Sequence, residues 1–252
     1  MEYNKKILFT TTTYLAKKDK FNQVNIALDT FLRCNNEFID DLISDFVIIN
    51  EYDDNTSDSC DIIEQLKNKY PKFNFINKTK DQFGQAKSLN MIIDMLKNGG
   101  YKYWLHWEES WYCNGPILDK VYHIIENYNV TQIQFTNDWF DQLENDDFYN
   151  NNHEFHFELI PKSHLKQKWR EEYYDNQKFN NFLWPLYSLR PHIIRADSVI
   201  NTGYFTEDPG KWPVMFELDW AYRWILLQDP IKAVLKLRHV DRQDNHKSTY
   251  HE

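Results

Sequence analysis

Ile7-Leu8-Phe9-Thr10-Thr11-Thr12-Thr13 (ILFTTTT) decides the fold. A short apolar run passing into β-branched polar residues predicts a first buried strand whose C-terminal end opens a loop. Working outward, Asn22–Leu32 places Val24, Ile26, Ala27, Leu28 and Phe31 at helical spacing. Asp45–Glu51 (DFVIINE) reads as a second strand ending on a carboxylate. A helix follows over Asp61–Tyr70, stopped by Pro71, then a short strand over Phe73–Ile76. Ser88–Leu96 is a helix entered through Gly84 and ended by Gly99-Gly100, as glycine does at a helix C-terminus. Tyr101–Trp107 is a fourth strand running into Glu108-Glu109. Ile117–Tyr128 is helical, and Val130–Phe135 (VTQIQF) is a fifth strand. Strands alternating with helices in this way predict an α/β fold with a mostly parallel central sheet flanked by helices.

Beyond the fifth strand the pattern changes. Asp138–Gln177 is polar and rich in Asn, Asp and aromatics, with a hairpin expected at Glu154–Ile160. It reads as an excursion over the ligand edge of the sheet. Order resumes over Phe182–Ile200, and an aromatic helix spans Phe216–Leu227. Asp229-Pro230 breaks it, and Ile231–Val240 alternates like an edge strand. With no internal repeat or linker, one domain over residues 1–252 is the simplest account.

Composition bounds the function. The 252 residues carry a formal net charge of −9, and aromatics reach 17%. Aromatic richness excludes a disordered chain. The acidic balance argues against a protein that tracks nucleic-acid phosphates. Cys34, Cys60 and Cys113 form no metal-type cluster and read as free thiols in a reducing compartment. No apolar run reaches the ~18–20 residues of a membrane span, and no signal peptide is visible. The expectation is a soluble, cytoplasmic protein.

In open α/β sheets, ligands bind beyond the C-terminal ends of the strands. The residues found there are Thr11 to Tyr14, then Glu51, Asp53 and Asp54, then Asp81, Gly84, Gln85 and Lys87, then Glu108, Glu109 and Ser110. Acidic residues are common in solvated loops, but their recurrence at several ends of one sheet is less easily dismissed. There is neither a GxGxxG nor a P-loop, so a dinucleotide fold or an ATPase loop has no support. A nucleotide bound here would lack a glycine cradle, and the usual substitute is a divalent cation held by carboxylates.

Taken in order, ILFTTTTY, VIINEYDDNTSD, FGQAKSLNMII, YWLHWEESW, WPLYSLRP, NTGYF, FELDWAYRW and LRHVDRQDNHKSTY resemble the glycosyltransferases of the GT-A fold. The resemblance is to the family 2 type and to related enzymes encoded by large DNA viruses. It implies a single Rossmann-like GT-A domain, with residues 1–113 binding the nucleotide-sugar and 114–252 serving the acceptor and catalysis. It also implies a nucleotide-diphosphate sugar donor, UDP-sugar favoured, a glycan or protein acceptor, and Mn²⁺ or Mg²⁺ as cofactor.

The resemblance assigns roles residue by residue. Thr11 and Tyr14 would line the nucleotide pocket, Glu51 would meet the base or ribose, and Lys87 and Asn90 would lie near the donor. Glu217 and Asp219 match the motif that supplies the catalytic base. Only one of them can act, and Glu217 is preferred. Arg223 would neutralise one of them or bind the leaving diphosphate. Glu108-Glu109-Ser110 stands in the place of the acidic metal motif, with Ser110 departing from it. Glu109 substitutes, or one carboxylate pairs with His239 on the ion, or catalysis is metal-independent. Trp111 and Trp139 are acceptor-pocket candidates. Two other classes compete: a nucleotidyltransferase making sugar nucleotides, and a catalytically inactive nucleotide- or carbohydrate-binding module.

Overall fold

β1 (Lys5–Thr13) is buried on both faces from Ile7 to Thr13, which is possible only inside a covered sheet. It is parallel to β2 (Ile43–Asn50) on one side and to β4 (Tyr101–His106) on the other. The computed structural model describes residues 3–15, 18–51, 57–136, 150–152, 157–160, 187–207, 215–228, 230–235 and 239–243. Between these strands run α1 (Lys18–Leu42), α2 (Ser57–Lys69), β3 (Phe73–Asn77) and α3 (Gln85–Gly99). After β4 come β5 (Trp111–Cys113), α4 (Leu118–Asn127), β6 (Gln132–Gln134), β7 (Asn150–Asn152), β8 (Phe157–Ile160) and β9 (His192–Arg195). The described elements end with α5 (Ala196–Thr202), α6 (Met215–Leu227), β10 (Lys232–Leu235) and β11 (Val240–Arg242).

The main sheet has nine strands in the order β3-β2-β1-β4-β9-β6-β10-β8-β7, and β11 pairs with β5 in a separate ribbon. β9 is antiparallel to β4 and β6, and β8 is antiparallel to β10 and β7. The other strands share one direction, so the mostly parallel α/β sheet expected from the sequence is present. Alternation along β1 sends Ile7 and Phe9 to one core and Leu8 to the other. α1, α2 and α4 cover the first face, and α3, α5 and α6 the second.

Three local readings are corrected. α1 does not stop at Leu32 but continues to Leu42 through a break at Asn35 (φ −119°, ψ 15°). The side chain of Asn35 rescues the broken turn by donating to Phe31 O at 2.8 Å, and Ile39 and Leu42 carry the apolar face onward. The stretch read as an edge strand holds β10, which lies inside the sheet between β6 and β8 with every residue buried. Its alternation comes from Lys232, whose ammonium is buried and donates to Gln134 Oε1 at 2.6 Å. The expected excursion over the ligand edge contributes β7 and β8 to the far side of the sheet instead. The hairpin partner of Phe157–Ile160 is Asn150–Asn152. The rest of that segment, Trp139 included, lies outside the described residues, as do Asp53 and Asp54.

Gly100 caps α3 in the left-handed conformation (φ 66°, ψ 29°), which favours glycine. Cys34 and Cys113 are free thiols. No helix among the described residues is long and apolar enough to cross a membrane.

Candidate active site

A row of polar side chains crosses the sheet where β1, β4 and β6 end. Thr10 is in register with His106, His106 with His192, and His192 with Gln134. Residues in register on neighbouring strands share a face, here the face covered by α6. Trp104 Nε1 donates to Thr10 Oγ1 at 2.7 Å, and Thr10 Oγ1 contacts His106 Nδ1 at 3.1 Å. Burial holds both histidines neutral: His106 lies well below the ordinary imidazole range, and His192 is lowered to about 3.

Over this row lie the 187–190 segment and the first turn of α6. Glu217 is buried there, and its Oε1 accepts from Leu189 N at 2.8 Å. Burial pushes its carboxyl up to about 8, against the Leu189 hydrogen bond, and the second acid Glu108 adds to the rise. Glu108 itself is raised to about 7 by burial and by Glu109. Lys232 is lowered to about 7 by burial and by Arg190. Acids raised and a cation lowered at one sheet edge mark a candidate catalytic site.

The two candidate bases separate cleanly. Asp219 Oδ2 accepts from Thr206 Oγ1 at 2.8 Å and from Arg223 Nε at 3.1 Å. Arg223 also donates to Thr202 O and Tyr204 O. Asp219 and Arg223 therefore clamp the loop after α5, and Glu217 alone of this acid pair turns toward the polar row.

Several residues expected at the donor act as internal ties. Thr11 is fully buried and donates to Trp107 O at 2.8 Å. Glu51 accepts from Lys78 Nζ and Ser88 Oγ, both at 2.6 Å, and from Gly84 N at 2.9 Å. Asn90 Nδ2 donates to Phe205 O at 3.0 Å, and its Oδ1 accepts from Phe205 N at 2.7 Å. Lys87 Nζ donates to Asp81 O. Tyr14, just past β1, is half-buried.

Around Glu108 the structure gathers Trp111 and adds two residues that the sequence reading missed, Arg190 and Arg242. Trp111 is buried rather than offering an open face, and its Nε1 donates to Glu108 Oε2 at 2.9 Å. The guanidinium groups of Arg190 and Arg242 each lie 5.7 Å from its ring centre. Arg190 and Arg242 stand within WPLYSLRP and LRHVDRQDNHKSTY, but neither is singled out by the sequence. For the two histidines the available signal was a polar residue at one end of an apolar strand, as His106 ends YWLH and His192 opens HIIR.

The expected metal site does not assemble. Glu109 is paired with Lys20 at 3.0 Å. His239 lies at one end of the β5–β11 ribbon, where Asn114 N donates to His239 O at 2.9 Å. Ser110 lies at the other end, its O accepting from Gln243 N at 2.9 Å. Four residue steps along the strand separate those ends, ~13 Å at ~3.3 Å per residue. The His239 ring is tied to Pro116 O at 3.1 Å. Among the described residues no group of three His, Cys, Asp or Glu could hold an ion. The donor set of Glu108, Glu109 and His239 thus does not fit a shared cation.

No known protein family matches the sequence, and no curated protein matches it. Solved structures do match. TarS 1–349 from S. aureus in complex with UDP-GlcNAc aligns with a TM-score of 0.59 at 14% identity, over 97% of this chain and 60% of that one. TarS 1–349 alone aligns at 0.57 and 16% identity, over 93% and 59%. Its UDP complex gives 0.57 and 14%, over 93% and 59%. The chain therefore spans 59–60% of these TarS structures. At such identity the likeness establishes the fold, and that fold is the GT-A type expected from the sequence.

Proposed function

We propose that the chain is a glycosyltransferase that moves a sugar from a nucleotide-diphosphate donor, UDP-sugar favoured, to an acceptor hydroxyl of a glycan or protein. One observation carries the reading: Glu217 is a buried carboxylate at the ligand edge of a fold that, in TarS, has been solved with UDP-GlcNAc. A base whose carboxyl titrates at about 8 is matched to work near neutral pH.

In this reading the Glu217 carboxylate takes the proton of the acceptor hydroxyl as its oxygen attacks the anomeric carbon. The bond from that carbon to the diphosphate breaks on the opposite face, in a single inverting displacement. Arg190 and Arg242 beside Trp111, rather than Lys87 and Arg223, meet the charge of the departing diphosphate. His239 lies away from Glu108 and Glu109, so the three do not gather on one Mn²⁺ or Mg²⁺.

Glu217→Gln tests the proposal, since it keeps the side-chain shape but cannot accept the proton. Sugar transfer from a UDP-sugar is expected to fall by at least about 10²-fold with UDP affinity retained, while Asp219→Asn keeps most activity if it folds. Full activity of Glu217→Gln would remove the carboxylate base. Product formation from a sugar phosphate and a nucleoside triphosphate would instead favour a nucleotidyltransferase. An inactive binding module is the second reading, favoured by Ser110 standing where the metal motif has an acid. Hydrolysis of donor without acceptor would count against it.

A further inference from the structure

Three polar atoms in one cluster have no hydrogen-bond partner among the described residues: His106 Nε2, His192 Nε2 and the Tyr187 hydroxyl. All three residues have no exposed surface. Burying a polar group unpaired is costly, and three together point to something that belongs between them. Neither histidine has a part in the proposed sugar transfer.

The two rings are direct cross-strand neighbours on β4 and β9, with centroids 5.9 Å apart. His192 Nδ1–H donates to Arg190 O at 2.7 Å. In the neutral ring this leaves Nε2 as an open lone pair. The His106 ring is held through Nδ1 by Thr10 Oγ1 at 3.1 Å. Imidazoles oriented through one nitrogen by a carbonyl or a polar group, with the other nitrogen open, have the arrangement of metal-ligating histidines. The spacing agrees. An ion ~2.1 Å from a ring nitrogen lies ~3.2 Å from the ring centre, so two rings sharing it have centres at most ~6.5 Å apart. The Tyr187 ring packs edge-on against His192, with ring centroids 5.4 Å apart. The charges that act on these groups are Glu217 and Glu108 on Tyr187, and Lys232 on His192.

We propose that His106 and His192 bind a divalent transition-metal ion through their Nε2 atoms, at a site separate from Glu108, Glu109 and His239. Imidazole ligands suit Zn²⁺, Ni²⁺ or Cu²⁺ rather than the oxygen-preferring Mg²⁺.

The site is tested on the full chain, stripped of metal with a chelator, without donor or acceptor. A failure here is therefore distinct from a failure of the glycosyltransferase reading. Equilibrium dialysis with Zn²⁺ is expected to give one ion per chain. His106→Gln and His192→Gln are each expected to weaken binding at least 10-fold, and His239→Gln to leave it unchanged. Because either substitution could disturb folding, a second measurement uses the unaltered chain. Electron paramagnetic resonance of bound Cu²⁺ should display coupling to two imidazole nitrogens. Zn²⁺ binding that survives both substitutions, binding lost only in His239→Gln, the absence of stoichiometric binding, or a Cu²⁺ signal without two-nitrogen coupling would overturn the site. A buried water would then be left to bridge the three atoms.

Discussion

Glu51 and Glu217 are both carboxylates beside strand ends, yet their surroundings set them different tasks. Glu51 neutralises Lys78, whose side chain has no exposed surface. Removing one partner of a buried ion pair costs about 3–5 kcal/mol. Glu51→Ala is therefore expected to lower the denaturation midpoint strongly, and Lys78→Met added to it should recover most of the loss. Equilibrium urea unfolding checks both. Glu217 has lost its usual acidity to burial, with a folded value of about 8 against an ordinary 4.5. Acting as a base it must be ionised, so kcat/KM should rise about tenfold per pH unit below ~8 and level off above it. The linked stability has the opposite sign. A raised carboxyl contributes stability that is present below pH 4.5 and lost as the pH rises through 8. Glu217→Gln should accordingly gain stability relative to the unaltered chain between pH 5 and 8, as read by thermal unfolding in matched buffers.

One polar side chain ties α1 to the start of α4. The N–H groups of Ile117 and Leu118 at the start of α4 both donate to Asn35 Oδ1 at 2.9 Å, and Ile117 offers no side-chain cap of its own. The helix start is capped from the break in a helix some 80 residues earlier in sequence. Asn35→Ala leaves both N–H groups and Phe31 O without their partner, at a cost of about 1–3 kcal/mol. Amide hydrogen exchange should quicken in the first turn of α4. Asn35→Asp keeps the acceptor and should lose less.

At the scale of the whole molecule, binding energy should appear as stability. UDP at 100 times its Kd is expected to stabilise the fold by about 2.7 kcal/mol, readable in a thermal-shift assay. Arg242 is exposed beside the buried Trp111, where it can meet a diphosphate without repacking the core. Arg242→Ala should weaken UDP binding about 10-fold or more while leaving binding of uridine, which has no phosphate, nearly unchanged. Equal loss for both ligands would move the diphosphate elsewhere.

The amino-acid sequence by itself determined the order and type of most elements. Burial imposes its period on local composition, and caps such as Gly100 act within a turn or two. It also pointed to strand ends as the ligand edge, because strand ends are local features, and its resemblance to the GT-A family put Glu217 and Asp219 forward as candidate bases. What the side chains near that edge do was decided only by the tertiary structure. Glu51, Asn90 and Arg223 find partners 33, 115 and 21 residues away, and hydrogen bonds already committed within the fold are not free for a ligand. His239 was separated from Glu109 by the register of β5 on β11. His106 and His192, 86 residues apart in number and unremarked in the sequence, became neighbours through the pairing of β4 with β9. Side-chain chemistry is written residue by residue, but which groups share a buried space depends on strand pairing and helix packing, and those are long-range.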